Sequence, residues 1–570
     1  MSTQGELFAN HLIRTSQYND GLPRPEDVIP VLPKALGAYY TDTQVAEFLV
    51  KWAVRSPSDT ILDPSFGGGV FLRAAAHRLT SLGGSAESQV FGIEIDKAVH
   101  GRIGVKLTEE FQVRRANLRV GDFFDQNPIG VDVVVGNPPF IRFHSFTGQS
   151  RKRATERLAE NGWKISELSS SWLPFVLCSI LQLKPHGRLS MVVPAELVYA
   201  GYARIAFDAL LQNFAKVRFL SFRKKLFADL NEDTLLLLAE DYGSGPAKFY
   251  LRDVAHAGLL GELDCSNSLS WRAMKAEELA AGQSRITDHY IPAKARDLYR
   301  KLSQDVSVAR LGDLADVGIG YVTGANGYFH LSPDEARIWD IERKFLRPAV
   351  RRGRSLAGTR FTASDWETGL SHGQRGFLVQ VNRDDEVSSG LGRYLEHGRR
   401  LGVHNGYKCR MRKPWYCVPH VHRPDALLSY MSGSAPRMVA NDANVVAPNS
   451  LHVVRLHERT PLNVHRLAAL WQTSLTLLSA ELEGHSMGGG MLKLEPTEAE
   501  RVLIAAIRGS DADGLVSELD TLLRSGRDRE CSDLADNNLL IGGLGLSKSD
   551  CLILNQAASS LRERRAARSN

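Results

Sequence analysis

The sequence lacks the cysteine patterns on which small metal sites and disulfide frameworks depend. Its 570 residues include six cysteines, and no two of them form a Cys-x-x-Cys pair. That spacing is typical of zinc and thiol-redox centres, and dense cysteine pairing is typical of small secreted domains. The pattern therefore indicates neither a metal site nor disulfides, and it favours a reducing cytoplasm.

Long apolar runs are also missing. No run approaches the about 20 residues that a membrane-spanning helix needs, and the polar segment Met1–Asp20 has no apolar core like that of a secretion signal. We therefore expect a cytoplasmic protein. The net charge of +6 is only mildly basic, so it is compatible with a polyanionic partner without requiring one.

The length predicts more than one domain, because single hydrophobic cores stop growing near about 250–300 residues. From Ala38 to Tyr242, short apolar runs alternate with amphipathic helical patterns, which is typical of a doubly wound α/β sheet. The predicted strands are 60–62, 90–93, 118–120, 131–135, 188–193, 217–221 and 234–240, and the predicted helices are 43–53, 70–82, 173–183 and 203–213.

Gly243-Ser244-Gly245-Pro246 interrupts this alternation, and mixed strand and helix patterns follow it. We therefore predict four segments. They are a polar extension over 1–35, an α/β domain over 36–245, a mixed α/β domain over 246–510, and a helical segment over 511–570 that ends in a basic, solvated tail including Arg562-Glu563-Arg564-Arg565.

A glycine-rich turn, Asp63-Pro64-Ser65-Phe66-Gly67-Gly68-Gly69, follows the first predicted strand. Ligands of open α/β sheets bind at the carboxyl ends of strands, where glycines let the backbone approach closely. The second predicted strand ends at Glu94, whose carboxylate can accept both hydroxyls of a ribose. The third is followed by Asp122 and Phe123, which can bind the amino group and the ring face of an adenine. This series predicts an adenosine-containing cofactor.

The identity of that cofactor depends on Asp63. A carboxylate inside the glycine turn would repel a phosphate, but it can hold an ammonium group. The position therefore favours a zwitterionic amino-acid end, and with it S-adenosylmethionine, over NAD or ATP.

The fourth predicted strand runs directly into Asn137-Pro138-Pro139-Phe140, referred to below as the tetrapeptide. Two prolines cannot continue a central strand, and they leave a rigid corner that offers acceptors past the sheet edge. The nitrogen of an aromatic amine is a poor nucleophile because its lone pair is delocalised. The Asn137 oxygen and the Pro138 carbonyl can each accept an N–H, which localises that lone pair, and Phe140 can stack on the base. We predict methyl transfer to an exocyclic amino nitrogen.

These segments resemble the adenine-N6-specific DNA methyltransferases, in which cofactor segments precede such a tetrapeptide and a recognition domain follows. Gly37-Ala38-Tyr39-Tyr40-Thr41 matches the family's segment beside the methionine end of the cofactor, and Phe227 matches a second base-stacking aromatic. The tetrapeptide ends in Phe where Tyr is common, which removes a hydroxyl but keeps a stacking face. Segments 318–324, 413–416 and 488–494 resemble the recognition domain.

The resemblance implies a class I S-adenosylmethionine-dependent methyltransferase that modifies N6 of a flipped adenine at a specific site in double-stranded DNA. It implies the modification component of a restriction–modification or related defence system, and it leaves open a separate endonuclease or defence partner. The implied catalytic residues are Asn137, Pro138, Pro139 and Phe140, with Phe140 and Phe227 stacking on the base. The implied cofactor-binding residues are Tyr40, Thr41, Asp63, Pro64, Gly67, Gly69, Glu94, Ile95, Asp122, Phe123 and Asn137.

Clustered basic residues predict contacts with DNA phosphates. One cluster follows the tetrapeptide, and another is interleaved with aromatic residues further along the chain. The residues expected to contact DNA are Arg142, Arg151, Lys152, Arg153, Lys408, Arg410 and Arg412.

Other functions share parts of this pattern. Enzymes that methylate glutamine in release factors or guanine in ribosomal RNA use a similar tetrapeptide, so RNA or protein-glutamine methylation is the alternative. Cytosine-N4 enzymes usually have Ser in place of Asn137, and cytosine-C5 chemistry is disfavoured because no Pro-Cys dipeptide occurs. A non-catalytic module is disfavoured because every catalytic position is occupied. The short segment before Leu36 leads us to expect methylation without a fused nuclease.

Overall fold

The computed structural model describes residues 41–199, 201–227, 233–263, 270–507 and 513–569. Across these ranges, none of the helices has the length and apolar character needed to cross a membrane. One hydrophobic core extends from Val45 to Ile286, and a second begins at Ile291. We refer to residues 41–286 as the first region and to residues 291–569 as the second region.

A nine-stranded sheet forms the centre of the first region. Its strands are β1 (Ile61–Asp63), β2 (Val90–Glu94), β3 (Leu118–Val120), β4 (Val131–Gly136), β5 (Leu183–Pro194), β6 (Lys216–Phe222), β7 (Thr234–Glu240), β8 (Lys248–Val254) and β9 (Arg272–Met274). Their order in the sheet is β3-β2-β1-β4-β5-β7-β6-β8-β9. The chain moves outward from β1 to β3 and returns to β4 on the other side of β1. Such a reversal places ligand sites at the carboxyl ends of the central strands.

Most pairs in this sheet are parallel, but β7 runs antiparallel between β5 and β6. The helices of the first region are α1 (Thr43–Ala53), α2 (Val70–Ser81), α3 (Ala86–Gln89), α4 (Lys97–Phe111), α5 (Gly148–Glu160), α6 (Trp172–Ile180), α7 (Glu196–Tyr199), α8 (Arg204–Asn213) and α9 (Ala276–Ala280). The predicted doubly wound α/β architecture is confirmed.

The predicted strands and helices occur in the structure with small differences at their ends. Helix α1 has the predicted bounds, and the Asp42 carboxylate caps it by accepting the Gln44 N–H at 2.8 Å. Strand β5 begins at Leu183 rather than at residue 188, because Leu183 still pairs with Val131 beyond a register shift. The helix predicted over 173–183 accordingly ends at Ile180.

The first core extends past the domain boundary predicted at residue 245. Strand β8 pairs in parallel with β6, and β9 pairs with β8 in the antiparallel direction. The apolar residues Phe249, Leu251 and Val254 of β8 are buried. Because β8 covers an otherwise open edge of β6, the turn at residues 243–246 is internal to the sheet. The first core ends at Ile286 instead.

The second region contains four small sheets with helices, as the mixed α/β prediction requires. Its strands are β10 (Val308–Arg310), β11 (Ala315–Ile319), β12 (His330–Leu331), β13 (Leu346–Pro348), β14 (Phe377–Val379), β15 (Ala426–Ser429), β16 (Met431–Ser432), β17 (Met438–Ala440), β18 (Leu451–Leu456), β19 (His485–Met487), β20 (Met491–Lys493) and β21 (Leu503–Ala505). Its helices are α10 (Ala293–Leu302), α11 (Leu311–Leu314), α12 (Asn326–Phe329), α13 (Pro333–Ile338), α14 (Ala363–Ser371), α15 (Ser389–Arg400), α16 (Tyr407–Arg410), α17 (Val464–Leu470), α18 (Ser474–Glu483), α19 (Pro496–Ala499), α20 (Asp513–Arg524), α21 (Asp528–Ala535), α22 (Gly542–Leu544) and α23 (Lys548–Ala566).

The C-terminal helices differ from the prediction in one respect. The segment is helical as expected, but its basic end is not a solvated tail. Helix α23 packs against α18, and only 3% of the Arg565 surface is exposed. The reason is a charge partner that the local sequence does not reveal, because the Arg565 guanidinium pairs with the buried Glu481 carboxylate of α18.

Candidate active site

The glycine turn and the tetrapeptide leave the sheet side by side, from the carboxyl ends of β1 and β4. These strands are parallel neighbours, with Leu62 paired with Val134. A Cβ atom placed on Gly136 would come within 3.0 Å of the Asp63 Oδ1 atom. A glycine at this position therefore lets the Asp63 carboxyl pack directly beside the chain that leads into Asn137.

The Asn137 side chain is fixed through its nitrogen. Its amide group donates to the Thr41 Oγ1 atom at 3.1 Å, while its Oδ1 atom is buried without a hydrogen-bond partner among the described residues. An unpaired buried oxygen is unfavourable unless another group comes to donate to it. The site therefore presents a preoriented acceptor for an N–H group. Tyr40, predicted beside Thr41, lies outside the described residues.

Ser171 holds the other end of the tetrapeptide, and the sequence analysis missed it. Its hydroxyl donates to the Pro139 carbonyl and accepts the Ile141 N–H at 2.8 Å. Residues 169–171 are three serines before an apolar helix, a pattern that indicates a helix start. Nothing in that pattern reveals a contact with a turn thirty residues earlier in the chain, so only the fold identifies this role.

We expect Ser171→Ala to lower kcat about five- to tenfold, because a lost hydrogen bond of this kind is worth about 1 kcal/mol and the tetrapeptide would be less well oriented. The affinity for the cofactor should stay within twofold. Steady-state methyl transfer and cofactor titration measure the two effects. Ser179→Ala is the matched control, because it removes a buried hydroxyl of α6, the helix that Ser171 precedes, and this hydroxyl lacks a hydrogen-bond partner among the described residues. Equal rates for the two variants would contradict this role.

The glycine turn is anchored to the neighbouring strand. The Phe66 N–H donates to the Ile93 carbonyl at 3.1 Å, and Gly69 has a φ of +75°, which a side chain rarely adopts. The Glu94 carboxylate accepts the Gly67 N–H through one oxygen and the Asp96 N–H through the other, both at 2.9 Å. Each carboxylate oxygen keeps a second lone pair, so the oriented Glu94 can still accept ribose hydroxyls.

Asp63 is buried, with 1% of its surface exposed. Its Oδ1 atom accepts the Ser65 N–H at 3.0 Å, and its Oδ2 atom has no partner among the described residues. Burial raises the pKa of Asp63 to about 8, the hydrogen bond from Ser65 opposes that rise, and the charge of Glu94 adds to it. A carboxyl group of this kind gains its partner when a cation binds beside it.

Phe123 does not occupy the position predicted for it. Its ring is only 2% exposed and stacks on Phe175, with the ring centroids 5.4 Å apart. The expected stacking on an adenine is therefore corrected to a core contact, because the apolar face of α6 covers the ring. The neighbouring Asp122 caps the turn by accepting the Phe124 N–H at 3.0 Å. Ile95, which follows Glu94, is 60% exposed and offers the apolar surface that Phe123 does not.

Both predicted base-stacking residues lie at the margin of the first core. Phe140 is 8% exposed, and Phe227 is partly buried against the same core. Phe227 follows β6, whose carboxyl end shares an edge of the sheet with those of β4 and β5. Both residues therefore follow strands whose carboxyl ends lie on the edge of the sheet that carries Asn137.

Three of the seven residues expected to contact DNA bind other groups of the protein. Arg151 donates to the Phe146 carbonyl at 3.0 Å and to other carbonyls of its loop, and Arg153 forms an ion pair with Asp125. Arg412 donates to the carbonyl of Thr323 at 2.9 Å. These guanidinium groups are thus engaged by backbone carbonyls or an acidic group of the same chain, although Arg153 remains exposed.

The other expected contacts are more accessible, with Lys152, Lys408 and Arg410 exposed. Lys152 lies 3.8 Å from Glu156, an exposed pair that contributes little stability. Arg142 is also exposed and interacts with other groups of the protein. Exposed apolar residues accompany the second group, since Tyr407 and Met411 flank Lys408 and Arg410.

S-adenosylmethionine, the cofactor implied by the resemblance, fits the residues at the β1 and β2 ends. The Asp63 Oδ2 atom, without a partner among the residues described, suits its ammonium group, and the oriented Glu94 carboxylate suits its ribose. The exposed Ile95 side chain provides an apolar contact beside that ribose position. The Asn137 Oδ1 atom, which has no partner among the described residues, remains available to an N–H group of a second molecule.

Two families match successive parts of the chain. Residues 29–238 match the family described as N-6 DNA Methylase. Residues 283–540 match the family described as the C-terminal domain of Type II methyltransferase M.Eco57I. The first match ends within β7, and the second begins three residues before Ile286, where the first core ends.

Similar proteins span most of the chain. It is 21% identical over 479 residues to Type II methyltransferase M.AccI of Acinetobacter calcoaceticus. The aligned region covers 82% of this chain and 85% of that protein. It is 23% identical over 493 residues to Type II methyltransferase M.XamI of Xanthomonas campestris pv. amaranthicola, which covers 84% and 87%. Among solved structures, it is similar to the Type IIL restriction-modification enzyme MmeI in complex with DNA, with a TM-score of 0.53, 12% identity, and coverage of 92% of this chain and 75% of that one. The fold is that of class I S-adenosylmethionine-dependent methyltransferases.

Proposed function

We propose that the chain is an N6-adenine DNA methyltransferase of a restriction–modification system, and that Asn137 and the tetrapeptide carry its catalysis. The reaction is methyl transfer from S-adenosylmethionine to N6 of a flipped adenine at a specific site in double-stranded DNA. In enzyme terms this is a site-specific DNA-methyltransferase (adenine-specific).

The observation that carries this proposal is the Oδ1 atom of Asn137, which is buried and has no hydrogen-bond partner in the described part of the chain. An amino group that approaches it would donate one N–H to a buried acceptor that Thr41 already holds in orientation. Preoriented acceptors in a site shielded from water act more strongly than in water. The Pro138 carbonyl is assigned to the second N–H, and Phe140 to the face of the base.

S-adenosylmethionine, when bound, supplies an electrophilic methyl group on a positively charged sulfur. The residues of the chain bind the cofactor and prepare the target nitrogen. Asp63 holds the ammonium group, Glu94 the ribose hydroxyls, and Pro64, Gly67 and Gly69 shape the turn around them. Asn137 localises the lone pair of the target nitrogen and so makes it a better nucleophile. Asp122 and Ile95 complete the adenine end of the cofactor site.

We assign cofactor binding and methyl transfer to the first region and target recognition to the second region. The exposed residues Tyr407, Lys408, Arg410 and Met411 support a DNA contact there, since they combine positive charge with apolar surface. Lys152 is assigned a phosphate contact near the active site, and Phe227 is assigned the second stacking position.

We expect the double variant Lys408→Ala, Arg410→Ala to bind DNA more weakly and to reduce the slope of log affinity against log salt by about 1.8, since each phosphate contact contributes about 0.9. Fluorescence anisotropy with a labelled duplex at several salt concentrations measures this slope. Arg337→Ala is the control, because Arg337 is an exposed residue of the same region that pairs with Asp334. The same slope in the double variant and the wild type would remove these residues from the interface.

The proposed function is tested by methyl transfer from labelled cofactor to DNA of an unmethylated host. Incorporation into DNA that is lost in the Asn137→Ala variant is not sufficient by itself, so the product must also be identified as N6-methyladenine by mass spectrometry. Incorporation into RNA or protein, with none into DNA, would overturn the proposal in favour of the alternative substrates. Sequencing that detects modified bases then gives the recognition site.

We further propose that a separate restriction endonuclease, or another component of a defence system, acts with this chain. Support comes from the two matched families, which assign the first region to methylation and most of the second region to a methyltransferase C-terminal domain. Pure protein incubated with DNA, magnesium and cofactor should methylate the DNA and leave it uncut. Specific cleavage by the pure chain would contradict this proposal.

A further inference from the structure

A recess with a volume of about 230 Å³ opens on the sheet formed by β11, β18, β15 and β17. Its lining includes Asp316, residues 318–321, His420, His422 and Arg455. Residues 318–324 are also one of the segments that resemble a recognition domain. The recess therefore lies in the part of the second region to which target recognition is assigned.

The recess contains polar side chains that the rest of the protein does not engage. Arg455, His420 and His422 are exposed, and within the described ranges their side chains form no hydrogen bond or ion pair. Gly318 and Gly320 contribute only backbone to the lining, so a flat ligand can approach the chain closely there. Hydrogen-bonding groups beside a bare backbone favour a planar polar ligand, such as the edge of a base pair.

Arg455 and Asp316 place a donor and an acceptor next to each other in this recess. They lie directly opposite each other in the antiparallel pair of β11 and β18. Side chains at such positions share a face of the sheet, with Cβ atoms about 5 Å apart. The Asp316 Oδ1 atom lies 3.2 Å from the His457 Nε2 atom, and Asp316 forms no ion pair with Arg455. The guanidinium group and the carboxylate are therefore both available to a ligand.

This combination matches the major-groove edge of a G·C base pair. Guanine presents two acceptors there, N7 and O6, and the paired cytosine presents an amino donor. A guanidinium group can donate to both guanine acceptors at once, and a neighbouring carboxylate can accept the cytosine amino group. A DNA phosphate would be repelled by Asp316. The chemistry of the recess thus favours a base edge over the DNA backbone.

The recess also adjoins the basic surface that is assigned to DNA. A Cβ atom placed on Gly324 would come within 2.8 Å of the Lys408 Cβ atom, so Lys408 packs beside the end of segment 318–324. The Arg412 guanidinium donates to the Thr323 carbonyl at 2.9 Å, which holds α16 against the same segment. Residues 321 and 324 are at most about 10 Å apart along the chain, and the major groove is about 12 Å wide. A duplex whose backbone contacts Lys408 can therefore present its base edges to the recess.

We propose that this recess recognises one G·C pair of the target sequence from the major groove. Arg455 donates to N7 and O6 of the guanine, and Asp316 accepts the amino group of the cytosine. His420 and His422 supply further hydrogen-bonding groups beside that pair. The inference deepens the proposed function and rests on it, since it names residues that determine the specificity of the second region.

The test compares the sequences methylated by the full-length wild type and by Arg455→Ala, identified by sequencing that detects modified bases. The wild-type motif should contain a guanine at a position where Arg455→Ala accepts other bases. On the wild-type site, kcat/KM of the variant should fall about ten- to a hundredfold, the discrimination expected of one bidentate contact. Binding of S-adenosylmethionine, and of a duplex without the motif, should stay within twofold. Arg455→Lys keeps the charge but not the paired donors, so it should relax the same position.

A modified base tests whether the contact is direct. Replacement of the guanine by 7-deazaguanine removes the N7 acceptor, so it should weaken binding by the wild type and leave binding by Arg455→Ala within twofold. The slope of log affinity against log salt should be equal in the wild type and Arg455→Ala. A slope reduced by about 0.9 without a change of motif would assign Arg455 to a phosphate and overturn the inference.

The control is Arg423→Ala, because Arg423 is an exposed arginine next to His422 that does not line the recess. It should keep the wild-type motif. A wild type that does not methylate adenine in DNA would refute the proposed function itself. A wild type that does, together with an Arg455→Ala variant that keeps the motif or loses rate equally on all sequences, would refute only this inference.

Discussion

Asn137→Ala should slow methyl transfer at least about a hundredfold, the scale found when one preorganised hydrogen-bonding group is removed from an active site. The change deletes the buried Oδ1 atom, which has no partner within the ranges that the structure describes and which we assign to the target amino group. Without it, the lone pair of the nitrogen stays delocalised into the ring as the methyl group is approached. Single-turnover methylation with saturating cofactor measures this step directly.

The cofactor should bind Asn137→Ala within about threefold of the wild type, because the charged contacts are assigned to Asp63 and Glu94. Isothermal titration provides that number. Thr41→Val is the matched variant, since it removes the group that orients the amide and leaves the Oδ1 atom in place. The methyl-transfer rate of Thr41→Val should lie between those of the wild type and Asn137→Ala. A joint loss of transfer and of cofactor affinity in Asn137→Ala would show that the tetrapeptide supports the fold rather than the chemistry.

The elements that position this site are predictable because their signals are local. The run of valines in β4 is β-branched and ends at a glycine and two prolines, so strand, strand end and turn are all encoded within ten residues. The glycine turn after β1 and the acidic residue at the end of β2 are equally local. Parallel strands share one edge for their carboxyl ends, so these local signals also predict that Asp63, Glu94 and Asn137 converge.

The features that the sequence did not predict depend on contacts between distant segments. Phe123 is removed from the predicted adenine site by Phe175, which belongs to a helix fifty residues further on. Ser171 contacts the tetrapeptide only because the fold places the start of α6 beside it. The basic run at the C-terminus looks solvated until the buried Glu481 is placed beside Arg565. In each case residue type allows several environments, and tertiary packing selects one of them.

Asp63→Asn should weaken the binding of S-adenosylmethionine at least about a hundredfold, the scale expected when one partner of a buried ion pair is removed. The wild type should show a characteristic pH dependence as well. The pKa of Asp63 is about 8, so the group is mostly protonated at pH 7 and must release a proton when an ammonium group binds beside it.

The apparent Kd of the wild type should therefore fall about tenfold per pH unit between pH 6 and 7.5, and level off near pH 8, where the α-amino group of the ligand begins to lose its own proton. Calorimetry in two buffers with different heats of ionisation should detect close to one released proton near pH 6.5. Asp63→Asn should lose both the slope and the released proton. A wild-type affinity that is independent of pH in this range would remove Asp63 from the ammonium site.

The same carboxyl group predicts the opposite effect on the stability of the cofactor-free protein. A pKa raised from 3.8 to about 8 means that the folded protein keeps a proton that the unfolded chain has already released, so the contribution of Asp63 to stability falls as pH rises from about 4 to about 8. Asp63→Asn cannot ionise, so its melting temperature should exceed that of the wild type by a margin that grows over this range.

Asp132→Asn is the contrasting control. Burial raises the pKa of Asp132, but hydrogen bonds from Thr60 and Lys184 outweigh burial and lower it. That variant should be less stable than the wild type at neutral pH and approach it as the pH falls below 4. Opposite pH dependences of the melting temperature in the two variants would show that Asp63 destabilises the cofactor-free protein. That cost is consistent with a carboxyl group whose role is to bind a cation.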